Sequence, residues 1–499
     1  MKRNLFICLL ALLPFIAVAQ EEAPPLVKDF YEGTHTIPKS FVFNEHLNIM
    51  QFSPDNENSD IVAVNDNMQS VWKTSLAGHV ISTSKFKGKI LVVASTEFSN
   101  IKSTNNTYKG YLLDPSNGKV LVEKIIFDGA PGYLTFPYVF TGENGEIFKL
   151  VLRQSGFERR LHVAMPSLLG IISMNSYHKQ FHETKQLDAI DFNEKLEPVT
   201  KIKPVINEGV FLNLTSNNHG DLFVNWFDNG SMNMVKYDAG SDKPSKKIAA
   251  SVTLDDDLLD GFDNNDIAMT ASKQNNNLLY YTLVFKNQDK EMELGIGKVD
   301  FSTGKAQYVN EILTKDHLKA IKKAYVPVNK KMDSPDLGPV KALKVREFDE
   351  VGDHLIVALT STSSAASSIG SGTWQSEYNI LINSYDMDLN QKYQKLIPTA
   401  YSVPERHLPL GFYHDKSKLY VISNDKSGMT TLNGTYSVFD LATGQCEKMY
   451  WLSKKKIGNS HAAGSSSVLW FKDGFVVPYL DLRGISGNRY DITLQQNAY

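Results

Sequence analysis

Seven apolar runs stand out along the chain: Lys89 to Ala94 (KILVVA), Ile147 to Arg153, Leu222 to Phe227, Leu278 to Phe285 (LLYYTLVF), His354 to Leu359, Lys418 to Ile422 and Phe475 to Leu480. Each is short, rich in β-branched and aromatic residues, and bounded by Gly, Asn, Asp or Lys positions, the signature of a strand between turns. One helical pattern interrupts them. Residues 311–324 (EILTKDHLKAIKKA) place Leu318 and Ile321 on one side and lysines toward the C-terminal end, which suits the helix dipole, and Pro327, Pro335 and Pro339 follow.

Between the runs a second pattern repeats: an apolar strand ending in Asp, a short polar turn closing on Gly, then another strand. The clearest copies are Tyr111 to Lys119 (YLLDPSNGK), Lys298 to Lys305 (KVDFSTGK) and Ser437 to Gln445 (SVFDLATGQ), with weaker marks at Asp66, Asp191, Asp238, Asp386 and Asp491. An Asp carboxylate can accept hydrogen bonds from the turn amides, and Gly supplies the positive φ of a tight β-loop. Several marks lie about 50 residues apart, the size of a four-stranded propeller blade, and wider gaps imply insertions. The pattern predicts an all-β fold: a seven- or eight-bladed β-propeller with inserted loops and one short helical insertion. A single domain over residues 20–499 is expected, closed by pairing residues 490–499 with strands from about Phe30 to Phe52.

The Asp-turn-Gly copies resemble the repeat of quinoprotein-type (PQQ-like) propellers, in which a strand ends in Asp and a Thr-Gly turn leads to the next strand. That family places a Trp four residues after the Gly. Here those positions hold Val122, Tyr308 and Lys448, and only Trp72, after Asp66, matches. The resemblance thus implies a repeat type and not quinone chemistry, and no cofactor is expected. The Asn- and Lys-rich loops and the N-terminus also resemble those of secreted Bacteroidota proteins.

Composition and charge narrow the function classes. Lys2 and Arg3, an apolar run from Leu5 to Leu13 and Ala17-Val18-Ala19 make a secretory signal peptide with cleavage expected after Ala19. No later run is long enough for a membrane helix, so a periplasmic, cell-surface or extracellular protein is expected, without a membrane span. The formal net charge is −3 and the leader carries only basic charges, so the mature chain is more acidic still and has no footprint for nucleic acid. Cys446 is the single cysteine outside the leader, which excludes an internal disulfide and leaves stability to burial. A monomer is expected.

Candidate chemistry is sparse. There is no Gly-x-Ser-x-Gly elbow, phosphate-cradling Gly loop or His-Glu-x-x-His. His178, His182 and Glu183, and the acidic run from Asp255 to Asp266, read as solvated loops, so no metal site is expected. The insertions fall at residues 155–184, 360–374, 453–467 and 481–489, and in a propeller these would share the face that carries the joins between second and third strands and between blades. Aromatic and arginine side chains dominate binding energy, which selects Trp374, Tyr378, Arg483 and Arg489 as candidate contacts. The expectation is a non-catalytic binder of a cell-envelope protein or glycan. The competing expectation is a glycoside hydrolase or lyase with a carboxylate pair at the channel mouth.

Overall fold

The computed structural model describes residues 25–499, apart from segments 97–106, 130–132, 157–183, 207–208, 254–265, 325–342, 367–372, 405–409, 427–431, 453–456, 458–460 and 482–488 and positions 56, 288 and 290. Residues 1–19, where a signal peptide is expected, His178, His182, Glu183, Arg483 and the acidic run before Asp266 lie outside the described residues.

Eight antiparallel sheets follow one another along the chain. Blades 1 to 7 span residues 39–77, 79–128, 133–202, 210–253, 267–312, 343–404 and 411–451, each a meander of four strands, a to d, in chain order from one edge of the sheet to the other. Blade 8 takes its inner strands from residues 461–498 and its outermost strand from the N-terminal strand Val27–Thr34. The eight-bladed propeller and its helical insertion match the expectation from the sequence.

All seven apolar runs are strand b of blades 2 to 8. Strand b lies inside its sheet and is covered on both faces by the neighbouring blades, so alternation gives way to a nearly continuous apolar run. The core follows the same geometry. Eight clusters of buried side chains each join two consecutive blades, including blades 8 and 1, where Met50, Phe52 and Val62 pack with Leu469, Val476 and Ile492.

Seven of the eight Asp marks lie at or next to the join between strands c and d. Asp114, Asp300, Asp386 and Asp440 accept backbone N–H bonds at 2.8–3.0 Å from Ser116, Ser302, Asp388 and Thr443. At Asp66 and Asp191 the capping is done by Asn65 and Asn193 instead. Asp491 is different. It sits near the start of strand c of blade 8 and accepts from the Gly33 N–H at 2.9 Å, because the outer strand of that blade arrives from the other end of the chain and needs no turn.

The turn glycines also join blades. Gly118 (φ +71°) lies under the Trp72 ring so closely that a Cβ would come within 2.4 Å of it, while Trp72 Nε1 donates to Pro115 O at 2.8 Å. Gly444 (φ +65°) sits under Tyr393 in the same way, 2.5 Å from a Cβ position. Tyr393 therefore repeats between blades 6 and 7 the docking that Trp72 provides between blades 1 and 2.

Ring closure pairs Val27–Thr34 with Tyr490–Ala498, and the strands Lys39–Asn44 and Leu47–Phe52 belong to blade 1. The N-terminal strand also fastens to blade 1: Tyr31 stacks on Phe52 at 4.0 Å between centroids, and its hydroxyl donates to Asp60 at 2.5 Å, with Lys73 on the same carboxylate. The helix α1 is shorter than its pattern, Lys315–Ala324, because residues 311–312 end strand d of blade 5 and Thr314 caps the helix through the His317 N–H. Buried Leu318 sets it against blades 5 and 6.

Candidate functional site

Antiparallel order divides the connections between two faces. The a–b and c–d turns share one face, and the b–c hairpins and blade-to-blade joins share the other. The strand ends that flank every insertion expected from the sequence lie on the second, here termed the insertion face.

Blade 6 is built differently from its neighbours on that face. Its strands His354–Ala366, Thr373–Asp386 and Gln391–Pro404 are 13, 14 and 14 residues long, against nine or fewer for every other strand. The extra length, about five residues at roughly 3.3 Å each, carries a three-stranded ribbon some 15 Å further at the insertion end. The inner strand Leu343–Val351 stops pairing at Leu343 opposite Ser361, so residues 362–366 run past it. Residues 360–374 are expected from the sequence as an inserted loop, but their described part is strand: Thr360 and Ser361 are buried, and the ladder continues to Ala366 opposite Thr373.

A buried polar cluster anchors the ribbon. Arg346, at a bulge in the inner strand, forms an ion pair with Glu377 and donates to Thr360 Oγ1 at 2.9 Å. The Tyr401 hydroxyl donates to the other Glu377 oxygen at 2.6 Å. Across the gap, Asp425 of blade 7 accepts from the Ala400 N–H at 3.0 Å and from Trp451 Nε1 at 2.9 Å.

The candidate contact residues take different places on this face. Trp374 and Tyr378 lie on strand c of the ribbon, paired along the backbone with Ala365 and Ser361 respectively, and Tyr378 is half-buried. Arg489 is exposed just before strand c of blade 8, with Nε 3.1 Å from His35 Nε2. The three occupy one face on blades two apart and do not form one contact set. Arg483 lies outside the described residues.

A second site lies toward the opposite, tight-turn face. Glu347, Asp349 and Val351 alternate on the inner strand of blade 6 and, with Ile356, Phe412, Tyr413, His414 and Leu419, line a cavity of about 310 Å³ between blades 6 and 7. The bulge between Val345 and Glu347 produces this arrangement: it shifts the alternation so that Val345 and Phe348 both pack toward blade 5 while Glu347 and Asp349 turn toward blade 7.

The two carboxyls differ in their partners. Asp349 lies 2.9 Å from Lys273 Nζ, which comes from the a–b turn of blade 5, and 3.6 Å from His414 Nε2. Burial opposes its ionisation, but His414 and Lys273 outweigh that and hold it below the usual carboxylate range. Among the described residues no hydrogen bond or ion pair reaches the Glu347 carboxyl. Burial, reinforced by the charge of Asp349, pushes it up to about 7. Glu350, on the other side of the strand, is buried and accepts the Lys273 N–H at 2.7 Å. One carboxyl that holds its proton near neutrality beside one that stays ionised is the charge state of an acid–base pair. With Asp349 engaged by a lysine and a histidine, the pair presents a single open carboxyl, Glu347.

Sequence reasoning missed this site because its residues are spread from Lys273 to His414 across three blades. The one local signal was two acids at alternating positions, Glu347 and Asp349, within a strand that the repeat makes an inner one. Elsewhere, burial raises the Cys446 thiol to about 11, which leaves it a poor nucleophile. Asp266, the last acid of the acidic run, is buried and paired with Lys344 at 2.8 Å.

No protein-family model matches the chain, and no curated protein matches it. Similar solved structures include the WD40 domain of SCAP from fission yeast, at 9% identity over 95% of this chain and 98% of that one, with a TM-score of 0.38. The β-propeller domain of the Trilobed protease from Pyrococcus furiosus is similar at 9% identity over 84% and 96%, with a TM-score of 0.39. Prolyl oligopeptidase B from Galerina marginata is similar at 8% identity over 92% of this chain and 56% of that one, with a TM-score of 0.41.

Proposed function

We propose that this chain is an exported, non-catalytic β-propeller that binds a cell-envelope protein or glycan through its insertion face. The observation that carries this reading is the ribbon of blade 6. Strands that run past their neighbours leave edge backbone groups that a partner can pair, and the ribbon is held at its base by Arg346, Glu377 and Tyr401. A projection that carries Trp374 and Tyr378 in its sequence, with Arg489 two blades on, holds the residue types that anchor interfaces. A carboxylate-pair hydrolase at this face draws no support from the Glu347–Asp349 pair, which lies toward the other face with Asp349 already engaged.

The test uses the mature protein on a glycan array and in pull-downs from a cell-envelope extract, beside a variant whose ribbon is shortened by joining Ser361 to Tyr378 through a two-residue turn. The expected result is a defined glycan or a single enriched protein retained by the parent and lost at least tenfold by the shortened variant and by Arg489→Ala with Trp374→Ala. Equal retention by all three proteins would reject the insertion face as the binding surface.

A further inference from the structure

We propose that the cavity between blades 6 and 7 is a binding site for a small organic cation, an alkyl- or methylammonium group, with the Glu347 carboxylate as its counter-charge. This site lies toward the tight-turn face, so the inference is independent of the binding proposed for the insertion face.

Size and lining make the first argument. A cavity of about 310 Å³ is at the lower limit of small-molecule pockets. Its wall is apolar on one side, where Val351, Ile356, Leu419 and Phe412 can cover an alkyl stem, and acidic on the other, where Glu347 and Asp349 lie. No lysine or arginine is among the lining residues. The nearest ammonium, Lys273, is already committed to Asp349 at 2.9 Å. An anion would meet two carboxyls, and a neutral polyol would leave the Glu347 carboxylate without a counter-charge above pH 7.

The second argument is the state of Glu347. A mostly buried carboxyl without a hydrogen-bond or ion-pair partner is costly, and proteins normally supply one. The described carboxyls around it on blade 6 each have one: Asp349 has Lys273 and His414, Glu350 has the Lys273 N–H, and Glu377 has Arg346 and Tyr401. Glu347 faces the cavity with no such partner among the described residues. An ammonium group entering the cavity would supply both charge and donors, and the Phe412 ring in the same wall can add a cation–π contact.

The charged and titratable groups around Glu347 are Asp349 on its own strand, Tyr413 and His414 from the inner strand of blade 7, and Lys273 from the turn of blade 5. In the empty cavity Glu347 holds its proton up to about pH 7. A cation that pairs with the carboxylate displaces that proton, so binding below pH 7 is coupled to proton release and binding well above pH 7 is not.

Isothermal titration of the mature protein with butylamine and with choline, and with butyrate as the control anion, tests this. At pH 6.0, titrations in buffers of different ionisation enthalpy should show saturable amine binding with release of most of one proton per site. At pH 8.5 the amines should bind more tightly with no release, and butyrate should not bind at either pH. Glu347→Gln should lower amine affinity at least tenfold at pH 8.5 and abolish the release, while Glu347→Asp should keep part of both. Unchanged melting by circular dichroism at pH 4.5 shows that the variants fold. Absence of saturable amine binding at both pH values, equal affinity in Glu347→Gln, or binding at pH 6.0 without proton release would overturn the assignment.

Discussion

Asp114, Asp300 and Asp440 cap their turns through backbone and hydroxyl donors, chiefly Ser116, Ser302 and Thr443, and those bonds hold each carboxyl below its usual range, Asp300 at about 2. Glu347 has the opposite consequence for stability. Its folded value of about 7 lies above the ordinary 4.5, so between those values the unfolded chain loses its proton first, and stability falls as pH rises from about 4.5 to about 7. The loss is on the order of 3 kcal/mol or less and persists above pH 7. Glu347→Gln removes it. Thermal melts should show the variant equal to the parent at pH 4.5 and more stable by a few degrees at pH 8; a difference that stays constant with pH would contradict the burial of this carboxyl. The turn residues were legible in the sequence because their chemistry is local. Glu347 was not, since its ionisation depends on Asp349, His414 and Lys273 together, and their meeting is a property of the ring.

At the scale of elements, the apolar runs were legible because strand b is sandwiched in every blade, and burial on both faces leaves a signal that survives turns and insertions. The ribbon of blade 6 was not. Thr360, Ser361, Thr362, Ser363, Ser364 and Ala365 are all small, so the period-two alternation that marks a strand has nothing to display, and composition alone suggests a loop. What makes them a strand is pairing with residues 373–378 and the cluster beneath, where Glu377 is 2% exposed. Removing the cation from such a buried pair typically costs about 3–5 kcal/mol. Arg346→Ala should therefore loosen the ribbon locally, and hydrogen–deuterium exchange should quicken at residues 373–382 and 396–404 while strands b of the other blades keep their protection. Uniform exchange across the whole molecule, or none of the local change, would show that Arg346 does not anchor the ribbon.

The whole molecule is a ring of eight sheets with a cluster of buried side chains at each blade-to-blade seam. Its blade count was ambiguous in the sequence because the last Asp mark, Asp491, has no turn to mark: the eighth blade borrows its outer strand from residues 27–34. That strand bridges two blades, pairing with Tyr490–Ala498 and placing Tyr31 on Phe52 and Asp60 of blade 1. A propeller without closure exposes two apolar blade faces and loses the long-range contacts that make it cooperative. The most direct measurement compares the melting of a chain beginning at Pro25 with that of a chain beginning at Lys39, the latter alone and with a synthetic peptide of residues 25–38 added in excess. Closure by the N-terminal strand predicts a fall of more than about 10 °C on truncation, given that a strand and its side chains contribute several kcal/mol, with saturable recovery when the peptide is added. An unchanged melting temperature, with no binding of the peptide, would contradict the closed eight-bladed ring.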